Sequence, residues 1–278
     1  MTARNILAGT LICFIALTFA TAFHRPPAAY SNQVAVLMYH HIHDTDTSSS
    51  TITTARFRDQ LTLLQRKGYH FIDLEQFRSF YDGASVPNNA VMVTFDDGYE
   101  SFDTHAFPVL QELNIPAVNF IITGTLKQPK DDIPPKLSGE EIRRLTASPL
   151  IGFQCHTDSM HGKRDNGLAL LLQDPEESDP VYKQRIEQDI QACKTKLQQL
   201  RPGDIDALAY PYGIYTDRAA QYIGEAGIRF AFTIQPGMVT RGMNPLDLPR
   251  INAGSPYITP EGLLATIERK VKAIKKAD

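Results

Sequence analysis

A chain of 278 residues, 42% hydrophobic and 21% charged, is long enough to bury a full core and fits one large domain or two. Its formal net charge of -3 excludes the concentrated basic face that binds nucleic acid. Three cysteines (Cys13, Cys155, Cys193) make neither a disulfide framework nor a CxxC metal knuckle, so Cys155 and Cys193 pair only if the fold juxtaposes them.

Arg4 precedes an uncharged run from Ile6 to Phe23, and Ala20-Thr21-Ala22 offers a small-x-small cleavage site. Residues 1–29 are therefore expected to be a secretory signal, or an uncleaved N-terminal anchor, followed by a short linker containing Pro26 and Pro27. Cys13 lacks the small residues that precede a lipid-modified cysteine. Either way residues 30–278 are expected to work outside the cytoplasm, with membrane contact only through the N-terminal segment.

From Gln33 onward strand and helix signals alternate. Val34 to Tyr39 is a short apolar run ending at His40 and His41, followed by a Ser/Thr-rich loop. A helix follows from about Ala55, with Phe57, Leu61 and Leu64 on one face, a cap at Thr53 or Thr54 and a stop at Gly68. Tyr69 to Ile72 is a strand candidate, and Leu74, Phe77 and Phe80 suggest a second short helix. Next come a strand from Ala90, a helix from Ser101 to Leu113 and a strand from Ala117 to Ile122. Ser138 and Glu141 form a capping box that opens a helix to about Ala147, and the strand Leu150 to Cys155 ends at His156. Gly162 to Pro180 carries no period and reads as a long loop or insertion. A long amphipathic helix from about Tyr182 to Leu200, a strand from Asp206 to Tyr210 and a helix capped by Thr216 follow. Strands at Arg229 to Thr233 and Leu248 to Ile251, then a helix opened by Thr259 and Pro260, complete the chain. Such alternation implies a parallel α/β barrel or a doubly wound sheet.

The stretch Ala90 to Gly98 (AVMVTFDDG) stands out, because a buried strand runs straight into two adjacent carboxylates. Asp96 and Asp97 repel when both are ionised, which makes sense if a cation or a proton separates their roles. An Asp-Asp-Gly turn closing the strand is the plain alternative. His156 and His161 lie five apart just past another strand, and with Asp97 they make three N/O ligands with an open position. A metal held in this way lowers the pKa of a bound water toward ~7. In a barrel, His40, Asp96, Asp97, His156 and Tyr212 all fall at strand ends that share one mouth.

TFDDG at Thr94 to Gly98, HTDSMH at His156 to His161 and AYPYG at Ala209 to Gly213, in that order, resemble the polysaccharide deacetylases of carbohydrate esterase family 4. VLMYHHI near the start, LSGEEI at Leu137 and LPRI near the end extend the likeness over nearly all of Val34 to Ile251. The resemblance implies a distorted (β/α)7 barrel and metal-dependent N-deacetylation of N-acetylglucosamine polymers. Within the family the chain most resembles the branch acting on poly-β-1,6-N-acetylglucosamine of biofilms, with cell-wall peptidoglycan as the rival substrate. Carried over by position, Asp96 is the general base and Asp97, His156 and His161 hold the metal, most simply Zn2+, with Co2+, Ni2+ or Fe2+ as alternatives. Tyr212 contributes a backbone N–H to an oxyanion hole, and His40 is the general acid. Strand alternation favours His40 over His41 for that role.

Two departures stand out. Ala209 occupies the place of an arginine that orients the base in many members, and Arg250 is expected to take over that task. Gly139 replaces a tryptophan in a chain that has none, leaving Tyr99, Tyr210, Tyr212 and Tyr215 as candidate sugar platforms. A glycosidase is disfavoured, since its two carboxylates must stand roughly 5 to 9.5 Å apart across the bond. A non-catalytic glycan-binding protein on the same barrel is the remaining alternative, and the intact Asp and His set argues against it.

Overall fold

The structure, a computed structural model, describes residues 29–127 and 133–275. The expected signal or anchor lies outside these residues. None of the described helices is long and apolar enough to cross a membrane.

Seven parallel strands close on themselves. They are β1 (Gln33–Tyr39), β2 (Ala90–Phe95), β3 (Ala117–Ile121), β4 (Ile151–Cys155), β5 (Ala207–Ala209), β6 (Phe230–Pro236) and β7 (Leu248–Asn252). Each pairs with the next, and β1 pairs with both β2 and β7. The β1–β2 seam runs in register from Val34 opposite Ala90 to Tyr39 opposite Phe95, whereas a bulge shifts the β6–β7 register between Leu248 and Arg250. The barrel is therefore distorted, as the family resemblance implied. The expected strand at Tyr69 to Ile72 contributes only His70–Phe71, paired with the start of β2 outside the closed ring.

Alternation sorts the core into two parts. Val34, Val36, Met92, Phe120, Phe230 and Phe232 point inward and form one apolar cluster with Leu74, Phe77 and Phe80. Those last three lie on α2 (Leu74–Tyr81), the second helix in the chain after α1 (Thr54–Arg66). Phe77 contacts the rings of Phe230 and Phe232 at 5.5 and 5.6 Å, and Arg78 pairs with Asp206 just before β5, so α2 stoppers the N-terminal mouth. The outward residues, among them Leu37, Val91, Val93 and Phe153, join the second cluster under the surrounding helices.

Those helices are α1, α3 (Phe107–Leu113), α4 (Gly139–Leu145), α5 (Asp179–Gln198), α6 (Asp217–Glu225) and α7 (Pro260–Lys275). The expected caps are present: Thr53, Ser138 and Thr216 each accept a backbone N–H three residues on, and Ser138 with Glu141 completes the capping box. The expected single helix from Ser101 to Leu113 instead begins as a π-turn over Phe102–Ala106. Pro108 has no N–H to donate to Thr104, which removes the α-type bond that would join the two pieces. Cys155 and Cys193 are brought together as a disulfide with a Cα separation of 6.1 Å, tying the end of β4 to the middle of α5.

Candidate active site at the C-terminal mouth

Asp96 follows the last residue of β2, and its backbone N–H donates to Tyr39 across the seam with β1 at 3.0 Å. Inside the mouth its carboxylate accepts two hydrogen bonds from Arg250, at 2.7 and 2.6 Å. Arg250 is wholly buried on β7; its Nε donates to the Thr233 carbonyl at 2.9 Å and its Nη1 also reaches Thr94 at 3.3 Å. Burial disfavours the charged form of Asp96, but the charge and hydrogen bonds of Arg250 outweigh it and hold the carboxyl below its ordinary value. The guanidinium thus both fixes the carboxylate plane and keeps it ionised. His40 Nε2 stands 3.9 Å from the same carboxylate. Burial lowers the His40 pKa against the opposing pull of Asp96 and Asp97.

Asp97 turns the other way because the chain enters the left-handed region there, with φ 71°. Gly98 continues the turn at φ +65°, where a Cβ would fall 2.9 Å from Ile121. Asp97 Oδ1 consequently lies 3.2 Å from Nε2 of both His156 and His161. His156 Nδ1 is 2.8 Å from the Ala209 carbonyl, a partner that only an N–H can satisfy, so Nδ1 carries a proton and Nε2 is the ring nitrogen turned toward Asp97. Burial opposes ionisation at Asp97, yet hydrogen bonds from His156 and His161 pull its pKa well down, and the acidic pair in turn raises that of His156. The cluster therefore favours a positive charge, which a divalent cation supplies more strongly than a proton. One carboxylate oxygen and two imidazoles within 4.8 Å of one another fit a divalent metal.

The loop after β4 is held from outside. Asp189 on α5 accepts the backbone N–H groups of Asp158 and Ser159 at 2.9 and 2.7 Å and the Ser159 hydroxyl at 2.9 Å. Lys196 and Thr123 both reach the Asp158 carboxylate at 2.5 Å. The disulfide fastens the residue just before His156. Between these ties Thr157 takes φ 68°, a genuine outlier for a β-branched residue, and its buried hydroxyl has no partner among the described residues. Asp97 and Tyr212 (φ 57°) are also left-handed, so strain collects around the mouth.

Tyr212 lies beyond β5, with its ring 4.6 Å from that of His161. It is exposed, while Tyr210 is buried, stacked on Tyr215 at 4.2 Å, and only borders the cavity. Tyr99 lies under Lys136, whose Nζ is 3.5 Å from the ring centroid. Tyr257, the most exposed aromatic residue among the described residues, was not a sequence candidate because nothing local distinguishes it; it borders a separate concavity of about 570 Å³. The site itself is a cavity of about 200 Å³ lined by His40, Asp96, Asp97, His156, His161 and Tyr212 among others. It is the smaller hollow, but the polar groups converge there. His41, one residue from His40, faces away and bonds to Ser101 and Asp46. The seven residues marked as site candidates thus line or underlie one mouth; Asp189, Lys196 and the disulfide were not anticipated as its supports, for only the packing of α5 reveals them.

Fold and site together define a (β/α)7 barrel with a carboxylate–imidazole centre able to hold a divalent metal. Residues 83–231 match the family described as polysaccharide deacetylase, and the chain belongs to that family of hydrolases. It is 26% identical over 201 residues to poly-β-1,6-N-acetyl-D-glucosamine N-deacetylase of Staphylococcus aureus (72% of this chain, 67% of the relative). The enzyme of the same name from Staphylococcus epidermidis is 27% identical over a similar span, 72% of this chain and 67% of the relative. Among solved structures, IcaB from Ammonifex degensii superposes with a TM-score of 0.74 at 24% identity, over 87% of this chain and 97% of that one. The Streptococcus pyogenes deacetylase PplD in complex with acetate gives 0.71 at 24%, over 86% and 99%. These two likenesses bear out the expected barrel.

Proposed function

We propose that the chain removes N-acetyl groups from N-acetylglucosamine units of an extracellular polysaccharide, poly-β-1,6-N-acetylglucosamine before peptidoglycan, releasing acetate and leaving a free amine. The observation that carries this reading is the division of labour between adjacent carboxylates, Asp96 clamped by Arg250 and Asp97 aimed at two imidazoles. The names of the staphylococcal relatives favour the β-1,6 polymer. Asp97, His156 and His161 hold the metal, Zn2+ in the first instance. A divalent cation bound there supplies the Lewis acidity that makes the attacking water acidic enough for a carboxylate base.

Asp96, ionised and held in plane by Arg250, accepts the proton of the attacking water. His40, 3.9 Å from the Asp96 carboxylate, gives a proton to the leaving nitrogen from the same side of the cavity. The Tyr212 backbone N–H donates to the oxygen on which charge develops. Arg250 touches no substrate and acts as a positioning residue through Asp96. The N-terminal segment delivers the enzyme to the cell exterior, released or anchored.

The test is acetate release by the full chain from β-1,6 and β-1,4 oligomers of N-acetylglucosamine, after chelation and again after Zn2+ or Co2+ is restored. Metal-restored release preferring β-1,6 oligomers is expected. Preference for β-1,4 oligomers would move the substrate to the cell wall, and no release with either, at full metal occupancy, would overturn the reading in favour of glycan binding alone.

A further inference from the structure

Three of the chain's histidines gather outside the site just described. His40 turns into the mouth, so His41 turns out of it, and its Nδ1 lies 2.7 Å from the Ser101 hydroxyl. That contact fixes the ring and aims Nε2 at Asp46, whose Oδ2 is 3.0 Å away. The other oxygen of Asp46 lies 3.2 Å from His43 Nδ1. His41 is buried, while His43 and Asp46 reach solvent. The His41 and His43 rings lie parallel at 5.2 Å, and His105, on the π-turn, brings a third imidazole within 4.9 Å of His43.

A hydrogen bond from His41 to Asp46 explains the first of these contacts alone. The second contact belongs to a local turn in which His43 Nδ1 accepts the Asp46 backbone N–H at 3.0 Å, and neither bond explains why a third imidazole stands beside the pair. Ligand atoms bonded at ~2.1 Å around a tetrahedral ion lie about 3.4 Å apart. The 3.0 and 3.2 Å separations here come near that edge but run to the two different oxygens of Asp46, whereas both 3.2 Å separations at Asp97 run to one oxygen. The Ser101 hydroxyl, which can donate or accept, fixes the orientation of the His41 ring, as the backbone carbonyl behind His156 fixes that ring, and leaves the other ring nitrogen facing the carboxylate. One ligand atom from each of His41, His43 and Asp46 falls within 4.8 Å of the other two.

We propose that His41, His43 and Asp46 form a second binding site for a divalent transition metal of the zinc class. Two imidazoles and one carboxylate are borderline donors that suit zinc, cobalt, nickel or copper and disfavour magnesium or calcium. An ion there ties the segment from His43 to Thr51 to the end of β1. That segment walls a groove of about 620 Å³ along with Tyr99, and its Ser50 also lines the active-site cavity. The second ion thus shapes the approach to the first without touching the reacting atoms.

The experiment counts metal. The full chain is stripped with chelator, saturated with Zn2+, freed of excess by gel filtration and assayed for zinc per chain. Two ions are expected in the wild type, one in the double substitution His43→Ala with Asp46→Ala, one in His156→Ala with His161→Ala, and none when all four are combined. One ion or none in the wild type overturns the proposal, and so does a count of two that the His43 and Asp46 substitutions leave unchanged. Circular dichroism confirms folding. If the variant at the mouth does not fold, the His43 and Asp46 variant decides alone, because both side chains lie on an exposed loop. The readout does not involve turnover, so a chain that binds two ions and releases no acetate would overturn the deacetylase reading and leave this one standing.

Discussion

At the N-terminal mouth α2 presses Phe77 against Phe230 and Phe232 in a largely apolar seal, whereas at the C-terminal mouth the same strands end in buried charges and left-handed residues. One end lowers the free energy of the fold by removing apolar surface from water. The other stores strain and holds ionised groups in poor solvent, a cost the rest of the barrel offsets. The two ends are therefore expected to respond differently to substitution, with Arg250 and α5 as the places where the distinction narrows.

The largest effect is expected from Asp96→Asn, with acetate release falling ~10²- to 10⁴-fold, the usual span for a lost general base. Asparagine still accepts a hydrogen bond from Arg250, so circular dichroism should report a folded chain; activity retained within tenfold would remove Asp96 from the mechanism. Phe77→Ala attacks the opposite mouth. It should cost about 3–5 kcal/mol, read as a fall in the urea midpoint, while turnover per folded molecule stays the same. A parallel loss of specific activity would mean that the two mouths are coupled.

Cys193→Ser sits between the ends. Releasing a cross-link across 38 residues should cost about 2–4 kcal/mol, and because Cys155 directly precedes His156, zinc affinity should weaken too. Isothermal titration of the variant with Zn2+ separates these effects, and unchanged affinity would show that Asp189 and Lys196 hold the loop without the disulfide.

The smallest effect concerns Glu177, whose carboxyl Arg185 holds below its ordinary value near 4.5 and so fastens the loop before α5. Because the folded form carries the lower pKa, the stabilisation is present above pH 4.5 and disappears as pH falls through the folded-state value. Wild type should exceed Glu177→Gln by less than about 1 kcal/mol at pH 7, and the gap should close in acid. A gap that persists at pH 3 would assign the effect to packing.

Most of the fold was legible because it is written locally. The caps at Thr53, Ser138 and Thr216, the apolar strand cores and the helical periods all act within a few residues. The π-turn was hidden because one wider turn is too short to alter the apolar pattern of Ser101 to Leu113 visibly, and Tyr69 to Ile72 has a strand's composition without a partner strand along its whole length. At the candidate site, strand-end position marked His40, Asp96, Asp97 and His156. The supports on α5 gave no signal, since Asp189, Cys193 and Lys196 look like ordinary positions of an amphipathic helix.

The sequence by itself determined the alternation of strands and helices, the polar groups at the strand ends and the family those motifs mark. The family likeness already pointed to Arg250 as the partner of Asp96, 154 positions away, but only the tertiary structure decided that Cys155 meets Cys193 and that His41 turns toward His43 and Asp46. The physical reason is range. Propensity and capping act over one or two turns, but a contact between distant strands exists only once the barrel closes and its register sets which side chains face each other.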